Sequence, residues 1–412
     1  MKRTLHVLRR IRAMRTGIQG ACSMLAALAL LVAFAAPTHA APRYTFTKVA
    51  DSVEDGFDPF SFECSAINNR GDIAFRTARG RRGETQLVQG IYRANADGRR
   101  RTTIAEFGDG FDFLGQFPSI NDLGDVAFAV RDFTSSPKGF SETQSVLRGD
   151  GGQPMAIATT AAGEFHQFGF EPTVNNGGVV AFKAQLNTVD QFNFDQGLFS
   201  GQDGNRASIT THYLSSTSQF SEFGPLDRPS INNLGDIAFA APPDGGDTSG
   251  IFVTQGTGFK TIAAADPNVN VGWPALNDAG TVAFHRLFND RAGEELVTGS
   301  GGALTVVADT SGPFESFGQI HGITPPALNN HGEIAFGAGL DAGGSGIFVG
   351  PKAVADRVIA TGDTLDGSIV KSLRFCDEGL NDAGQLAFQA TFEDATAPFG
   401  TRVAVYRATP QR

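Results

Sequence analysis

The chain has 412 residues, with 33 Lys and Arg, 43 Asp and Glu, and a formal net charge of −10 at pH 7. An acidic chain of this kind lacks the basic surface that binds phosphate groups, so we expect no nucleic-acid partner. Its three cysteines are too few for a disulfide framework, so the fold must be stabilised by an ordinary hydrophobic core.

Residues 1–40 have the composition of a secretory signal peptide. Six basic residues and no acidic residue precede an apolar stretch over residues 24–36, and Thr38, His39 and Ala40 provide small residues near a cleavage position. An uncleaved signal anchor is the alternative. Because the apolar stretch is short for a membrane span and no second one occurs, we expect a secreted or periplasmic protein without a transmembrane segment after cleavage.

Residues 43–412 are organised by a phrase that recurs seven times: an aliphatic residue, Asn, Asn or Asp, any residue, Gly, any residue, an aliphatic residue, Ala and Phe. The copies start at Ile67, Ile120, Val174, Ile231, Leu276, Leu328 and Leu380. Consecutive copies start 45 to 57 residues apart. A period near 50 residues is typical of propellers and solenoids.

Each copy predicts a turn followed by a strand. Asn and Asp tolerate left-handed backbone, and Gly adopts a positive φ without steric cost. The predicted turn residues are the first Asn and the Gly of every copy: Asn68, Gly71, Asn121, Gly124, Asn175, Gly178, Asn232, Gly235, Asn277, Gly280, Asn329, Gly332, Asn381 and Gly384. The apolar run that ends in Ala-Phe predicts a strand buried on both faces. Two further short apolar runs follow in most repeats, so each repeat predicts a four-stranded antiparallel propeller blade.

The two ends of the chain predict how the blades are closed into a ring. The seventh repeat stops after Val403-Ala404-Val405-Tyr406 without a fourth strand, whereas Tyr44–Asp51 forms an isolated strand that resembles the other fourth strands. We therefore predict an all-β fold, a seven-bladed β-propeller in which the N-terminal strand completes the last blade. This closure removes an exposed sheet edge. A solenoid is the alternative, but atypical capping repeats would be expected at its ends.

The chain resembles a group of bacterial exported proteins that are built from tandem NxxGxxAF repeats. All seven copies meet the motif Asn-x-x-Gly-x-x-Ala-Phe, from residues 68–75 to residues 381–388, so the resemblance covers essentially all of residues 43–412. It implies export and a repeat architecture in a family without an assigned activity, and it implies no catalytic residues. Such proteins often end in a surface-anchoring tail, which residues 403–412 do not resemble.

The repeated turn also raises the question of calcium binding, since Asn68, Asn69 and Asp72 present side-chain oxygens at close spacing. Calcium prefers six to eight oxygen ligands, usually with several carboxylates. The position after the Gly is acidic in four copies only, at Asp72, Asp125, Asp236 and Glu333. We therefore predict a structural turn and no cofactor, with a bound cation such as calcium as the alternative.

The loops between consecutive blades combine acidic residues with Phe. The candidate binding residues in them are Asp109, Asp112, Glu164, His166, Glu222 and Glu315. Strand alternation predicts that these loops lie on the face opposite the Asn-Gly turns. An acidic and aromatic rim would suit sugars, cationic groups or a metal. The alternative interpretation is that the Phe side chains fill gaps between blades while the acidic side chains stay solvated.

Cys64 and Cys376 each lie a few residues before the turn, in blades one and seven. These blades are neighbours only if the ring closes. We predict a disulfide across the seam, which requires Cα atoms within about 7 Å. Two separate buried thiols are the alternative.

The sequence contains no HExxH, GxSxG or phosphate-binding GxxxxGK motif. Our leading hypothesis is a monomeric exported binding or scaffold module that is not an enzyme and whose extracytoplasmic ligand is a glycan or a protein. One alternative is a carbohydrate-active hydrolase or lyase that uses two carboxylates of the acidic and aromatic face. The other alternative is a structural cell-surface protein.

Overall fold

The computed structural model describes residues 44–80, 87–108, 110–136, 139–187, 195–217, 219–220, 228–317 and 325–411. Within these ranges the chain forms seven antiparallel sheets. The helices found there are short 3-10 turns at Thr160–Ala162, Arg206–Ser208 and Pro398–Gly400. No helix in the described ranges is long and apolar enough to cross a membrane.

Each sheet is one blade of a seven-bladed β-propeller, as predicted. The first strand of the chain, β1 (Tyr44–Asp51), belongs to the last blade. Blade 1 contains β2 (Ser65–Ile67), β3 (Ile73–Gly80), β4 (Leu87–Ala94) and β5 (Arg101–Glu106). Blade 2 contains β6 (Phe113–Leu114), β7 (Ser119–Ile120), β8 (Val126–Ser136), β9 (Gly139–Gly149) and β10 (Met155–Thr159). Blade 3 contains β11 (Phe165–Phe168), β12 (Thr173–Val174), β13 (Val180–Leu186), β14 (Gln196–Gly201) and β15 (Thr210–Leu214).

The remaining blades follow the same order. Blade 4 contains β16 (Ser230–Ile231), β17 (Ile237–Ala241), β18 (Gly250–Gln255) and β19 (Gly258–Ala263). Blade 5 contains β20 (Val269–Val271), β21 (Ala275–Leu276), β22 (Val282–Phe288), β23 (Glu294–Gly299) and β24 (Thr305–Asp309). Blade 6 contains β25 (Phe314–Phe317), β26 (Ala327–Leu328), β27 (Ile334–Leu340), β28 (Ser345–Val349) and β29 (Arg357–Ala360). Blade 7 contains β30 (Thr364–Leu365), β31 (Ser368–Leu380), β32 (Leu386–Glu393), β33 (Thr401–Pro410) and β1.

The first strand of a blade faces the ring axis, and in several blades it is interrupted by a proline. Pro118, Pro172 and Pro274 lie between the two short segments that pair with the same second strand in blades 2, 3 and 5. Proline cannot donate a ladder hydrogen bond and is tolerated at a sheet edge. The inner strand is such an edge, because its other side faces the axis.

The hydrophobic core consists of seven clusters, one between each pair of adjacent blades. The motif Ala of one blade shares a cluster with the motif Phe of the next: Ala74 with Phe128, and Ala387 with Phe75 across the seam. Adjacent residues of a strand point to opposite faces of the sheet. The Ala-Phe pair therefore presents a small side chain to one neighbouring blade and a large one to the other, and this packing repeats around the ring.

The ring is closed by pairing of β1 with β33, from Tyr44 opposite Pro410 to Asp51 opposite Ala404. The prediction that the N-terminal strand completes the last blade is confirmed. The Arg402 Nε donates to Asp51 Oδ2 at 2.7 Å across the same pair of strands. Cys64 and Cys376 form a disulfide between blades 1 and 7, with Cα atoms 5.8 Å apart.

Candidate functional site

The first Asn of each turn joins its blade to the next one. Its side-chain Nδ2 donates to the main-chain oxygen of the equivalent Asn in the following blade, at 2.9 to 3.2 Å, and Asn381 donates to Asn68 to close the circle. Its Oδ1 accepts the main-chain N–H four positions later, at 2.9 Å for Asp72. An ionised Asp could accept the second bond but could not donate the first. This explains why the position is Asn in all seven copies.

The second residue of each turn forms a parallel ring. Its side-chain Oδ1 accepts the main-chain N–H of the equivalent residue in the preceding blade, at 2.7 to 2.9 Å. Both Asn and Asp carry this oxygen, so both occur: Asn69, Asp122, Asn176, Asn233, Asp278, Asn330 and Asp382. No two Asp residues are neighbours in this ring. The Asn69 Nδ2, for example, donates to Asp122 and Asp382 at 3.0 Å each.

These two rings surround a cavity of about 150 Å³ on the turn face. Its polar atoms serve the fold: Asn68 Oδ1 accepts the N–H groups of Arg70 and Asp72 at 3.1 and 2.9 Å. Among the described residues, no group of three or more His, Cys, Asp or Glu side chains is arranged to hold a metal ion. The hydrogen bonds of the two rings fasten each blade to the next one.

Of the six residues predicted from the blade-to-blade loops, the four that the structure describes lie in three different blades, 2, 3 and 6. Asp109 and Glu222 lie outside the described residues. Asp112 is in blade 2, where its Oδ2 accepts the Phe133 N–H at 2.6 Å. Glu315 is exposed on β25 of blade 6. Blade 6 is not adjacent to blades 2 and 3, which carry the other three described residues.

Glu164 and His166 lie together at the start of blade 3. Glu164 is half-buried and His166 is exposed. His166 lines a surface pocket of about 310 Å³ together with Glu142 and Asn187.

Four Phe side chains of the loops that begin blades 3 and 6 are buried. Phe165 and Phe168 pack between blades 2 and 3, and Phe314 and Phe317 pack between blades 5 and 6. This is the alternative interpretation given above, in which the aromatic rings fill the space between blades. These Phe residues therefore supply no aromatic surface for a ligand.

A different group of non-repeating residues meets on the axis. The inner-strand position three residues before the aliphatic residue of the motif carries a different residue type in each blade: Cys64, Phe117, Glu171, Arg228, Trp273, Pro325 and Asp377. We define the axial cluster as Phe117, Ser119, Glu171, Arg228, Trp273, Asp377 and Glu378.

An ion-pair network crosses the channel in the axial cluster. Arg228 of blade 4 is only 2% exposed, and its Nη1 donates to Asp377 Oδ1 of blade 7 at 2.9 Å. Its Nη2 lies 3.1 Å from Glu378 Oε1. The Ser119 hydroxyl of blade 2 donates to the same Glu378 oxygen at 2.9 Å. Three blades thus meet at one carboxylate.

The environment shifts the acid–base properties of this network. Burial raises the pKa of Glu378 to about 7, and the attraction of Arg228 offsets this only in part. Burial alone would lower the pKa of Arg228, but Asp377 and Glu378 outweigh it and raise the pKa, so the guanidinium stays charged. The Glu378 side chain is 27% accessible, so a ligand in the channel can reach this carboxyl group.

Two aromatic side chains complete the axial cluster. The rings of Phe117 and Trp273 make an edge contact across the channel, with centroids 6.0 Å apart. Both are half-buried, and the Arg228 guanidinium carbon lies 5.9 Å from the Phe117 centroid. In the sequence, Phe117, Arg228 and Trp273 each precede a Pro-(Ser/Thr/Ala)-aliphatic-Asn segment, whereas Asp377 is followed by Glu378. Because the residue type differs in every blade, no shared motif marks this position.

Comparisons with known proteins give a fold and a family. Acylaminoacyl peptidase from Pyrococcus horikoshii in its orthorhombic crystal form aligns with a TM-score of 0.51 and 11% identity, over 84% of this chain and 50% of that chain. Its uncomplexed form aligns with a TM-score of 0.52 and 10% identity, over 85% and 52%. The chain spans about half the length of these proteins, and such low identity shows the propeller fold alone. Residues 67–406 match the profile of a family described as a family of unknown function, DUF7453. No curated protein sequence matches the chain.

Proposed function

We propose that the chain, which belongs to the DUF7453 family of unknown function, is an exported ligand-binding propeller whose ligand contacts the axial cluster. The observation that carries this proposal is the single inner-strand position that differs in all seven blades, although the residues around it repeat. Packing alone would be satisfied by apolar side chains, since a buried ion pair seldom stabilises a fold more than they do. A charged network at the axis therefore supports a role in recognition.

The chemistry of the axial cluster favours a ligand with a positively charged amine or guanidine group. Among the described contacts, the carboxyl groups of Asp377 and Glu378 face the single guanidinium of Arg228, so two acidic groups meet one basic group. The half-buried Phe117 and Trp273 rings add faces that attract cations. Electrostatic attraction is strengthened where protein replaces water around the charges.

The proposal that the protein is exported rests on two further observations. Residues 1–40 have signal-peptide composition, and a disulfide joins Cys64 to Cys376. Disulfides persist mainly in oxidising compartments. We propose a monomer that is secreted or periplasmic.

The test is a titration of the purified chain with putrescine, agmatine, spermidine and choline, followed by calorimetry. We expect at least one of them to bind, and we expect Glu378→Gln and Trp273→Ala to weaken its affinity at least tenfold, about 1.4 kcal/mol. Because Glu378 loses its proton as the pH rises through about 7, binding should strengthen from pH 6 to pH 8 in the wild type but not in Glu378→Gln.

The matched control is Glu393→Gln, which removes a carboxylate whose side chain is 79% exposed at the outer end of β32. This variant should bind like the wild type. If no cation of the panel binds, or if Glu378→Gln and Glu393→Gln bind equally well, the axial cluster is not the ligand site.

One observation favours a second candidate, the carbohydrate-active enzyme. A carboxyl group with a pKa of about 7 is suited to proton transfer at neutral pH, and Glu378 has this property. Turnover of a glycoside panel that Glu378→Gln abolishes and Glu393→Gln retains would favour the enzyme over the binding module.

A further inference from the structure

A groove lies at the seam between blades 7 and 1, away from the axial cluster. We call it the seam groove. It has a volume of about 250 Å³, and its walls include Phe60, Arg374, Ser372, Thr391 and Thr401. The Cys64–Cys376 disulfide joins the segment before β2 to β31, and Phe62 and Arg374, which line the groove, each lie two residues before a bonded cysteine. The two sides of the groove are thus held at a fixed separation.

Two exposed aromatic rings stand beside the seam groove. Phe60 is 68% exposed and Phe399 is 80% exposed. Their rings contact each other with centroids 5.7 Å apart and planes inclined by 60°. Phe60 comes from blade 1 and Phe399 from the loop between β32 and β33 of blade 7. The pair presents ring faces to solvent where packing of the fold does not require them.

The backbone at Phe399 is strained. Its φ is 63°, in the left-handed region that favours glycine, and Gly400 follows with a φ of 69°. A residue with a large side chain is disfavoured in this conformation, and such strain is concentrated at functional sites. Glycine at position 399 would adopt this backbone conformation at lower energy than phenylalanine. The Phe399 ring is therefore not explained by the stability of the loop, which points to a role in binding.

The seam groove has polar walls with one charged side chain, Arg374. Its Nη1 lies 2.6 Å from Glu63 Oε2 and donates to the Phe62 carbonyl oxygen at 2.9 Å, while Arg76 shares the same carboxylate with an Nη1 to Oε1 distance of 3.6 Å. The hydroxyl groups of Ser372, Thr391 and Thr401 line the groove, and no hydrogen bond joins them to another side chain in the described part of the chain. They are half-buried. The groove therefore offers hydroxyl donors and acceptors beside an aromatic surface.

We propose that the seam groove binds a neutral oligosaccharide. The apolar face of a sugar ring can pack on Phe60 and Phe399, while its hydroxyl groups bond to Ser372, Thr391 and Thr401. A purely apolar ligand would bury these hydroxyls without partners, which is costly. The charged group in the walls, Arg374, is already engaged by Glu63 and the Phe62 carbonyl oxygen, so hydroxyl groups make up the remaining polar surface. This site is separate from the axial cluster and takes a different class of ligand.

The test measures binding of maltotetraose, cellotetraose, xylotetraose and mannotetraose to the full chain by calorimetry, together with urea unfolding. We expect at least one of these sugars to bind. Phe399→Gly should weaken its affinity at least tenfold while leaving the urea midpoint equal to or above that of the wild type, because glycine relieves the backbone strain. Thr391→Val, which removes a hydroxyl group at nearly constant shape, should weaken affinity severalfold.

Two controls make the outcome decisive. Leu234→Ala removes a side chain that is 73% exposed on the turn face and should leave sugar affinity unchanged. Val354→Ala removes a side chain that is 80% exposed in blade 6 and should also leave it unchanged. The cations test the axial cluster and the sugars test the groove, so failure of the axial site and failure of the seam groove are distinguishable. The proposal is overturned if none of the four sugars binds, if Phe399→Gly binds as the wild type does, or if Phe399→Gly lowers the urea midpoint.

Discussion

His285 is a buried histidine without a hydrogen-bonding environment. It is 6% exposed, and neither ring nitrogen has a partner among the described residues. Its ring stacks on Phe317, with centroids 5.8 Å apart. Burial lowers its pKa to about 4, so the side chain stays neutral at pH 7. A neutral histidine side chain is thus packed between blades 5 and 6 in the folded protein.

We predict that this residue makes the fold sensitive to acid. Between pH 6.5 and 4 His285 is protonated in the unfolded chain but stays neutral in the folded chain. The free energy of unfolding therefore decreases as the pH falls through this range. The loss should approach about 3 kcal/mol at pH 4, from a pKa difference of roughly two units or more. His285→Phe should lack this part of the pH dependence in urea unfolding measured from pH 7 to pH 4.

The control for this prediction is Leu287→Ala, which removes a side chain that is 40% exposed on the same strand, β22, and leaves His285 in place. It should show the same pH dependence as the wild type. Equal profiles for His285→Phe and the wild type would contradict the assignment.

Asn68 and its six counterparts show what a residue pattern can and cannot predict. The Asn-x-x-Gly spacing predicts the turn, and Gly71 has the expected positive φ of 81°. The second role of the Asn, donation to the next blade, depends on residues about 50 positions away. Turn chemistry is local and can be derived from sequence, whereas a contact between blades requires the geometry of the ring.

At the scale of the turns, the spacing of Asp residues in the second ring is a consequence of charge. Each carboxylate lies between two amide side chains, which can donate to it; Asp382 Oδ2 accepts from Asn330 and Asn69 at 3.1 and 3.0 Å. Adjacent carboxylates would repel each other instead. The choice between Asn and Asp at this position looks arbitrary in the sequence. Around the ring it is constrained, because two Asp residues are never neighbours.

We predict a graded cost when this spacing is broken. Asn176→Asp creates one pair of adjacent carboxylates, with Asp122, whereas Asn330→Asp creates two, with Asp278 and Asp382. Each variant also loses amide donation, so the pair is matched. Asn330→Asp should be less stable than Asn176→Asp by roughly 1 kcal/mol in urea unfolding at pH 7, the scale of one exposed charge pair. The difference should shrink at high salt. Equal stabilities at low salt would count against this account.

The strands were the most predictable elements. Tyr44–Asp51 has the predicted bounds of β1, and the apolar runs after each turn form the second strands. These signals are local and are repeated seven times. The interruption of the inner strands at Pro118, Pro172 and Pro274 was not predicted. In each case the segments on both sides of the proline pair with the same second strand, and the sequence alone does not show this pairing.

For the whole molecule, the seam between blades 7 and 1 carries two closures, the β1–β33 pairing and the Cys64–Cys376 bond. The bond links residues 312 positions apart. In the chain-entropy account a loop of this length stabilises the fold by up to about 5 kcal/mol, since the cross-link restricts the unfolded chain.

We predict that the purified protein shows no free thiol at either position. Alkylation without reduction, followed by mass spectrometry, should leave Cys64 and Cys376 unmodified. Cys64→Ala with Cys376→Ala should then lower the urea midpoint while the far-ultraviolet spectrum stays that of a β-protein. Two alkylated cysteines in the unreduced protein would contradict the prediction.

The axial cluster illustrates the limit of sequence reasoning at this scale. Arg228 and Asp377 are 149 positions apart, and they meet because blades 4 and 7 face each other across the channel. The sequence near each of these residues does not indicate that it is charged and buried at the axis. Alignment of the repeats shows that the position three residues before the motif differs in every copy. The structure then shows that this position faces the axis.

The ring of Asn amides has a direction: each blade donates to the one that follows it, and the seventh donates to the first. All seven bonds join equivalent atoms, so the ring itself has no starting blade. The chain ends matter to blade 7, where β1 and β33 meet, but not to the amide ring. A circular permutant with its ends joined and new termini in the outer loop of another blade would keep all seven bonds. The place where the chain begins is thus independent of the fastening that holds the blades together.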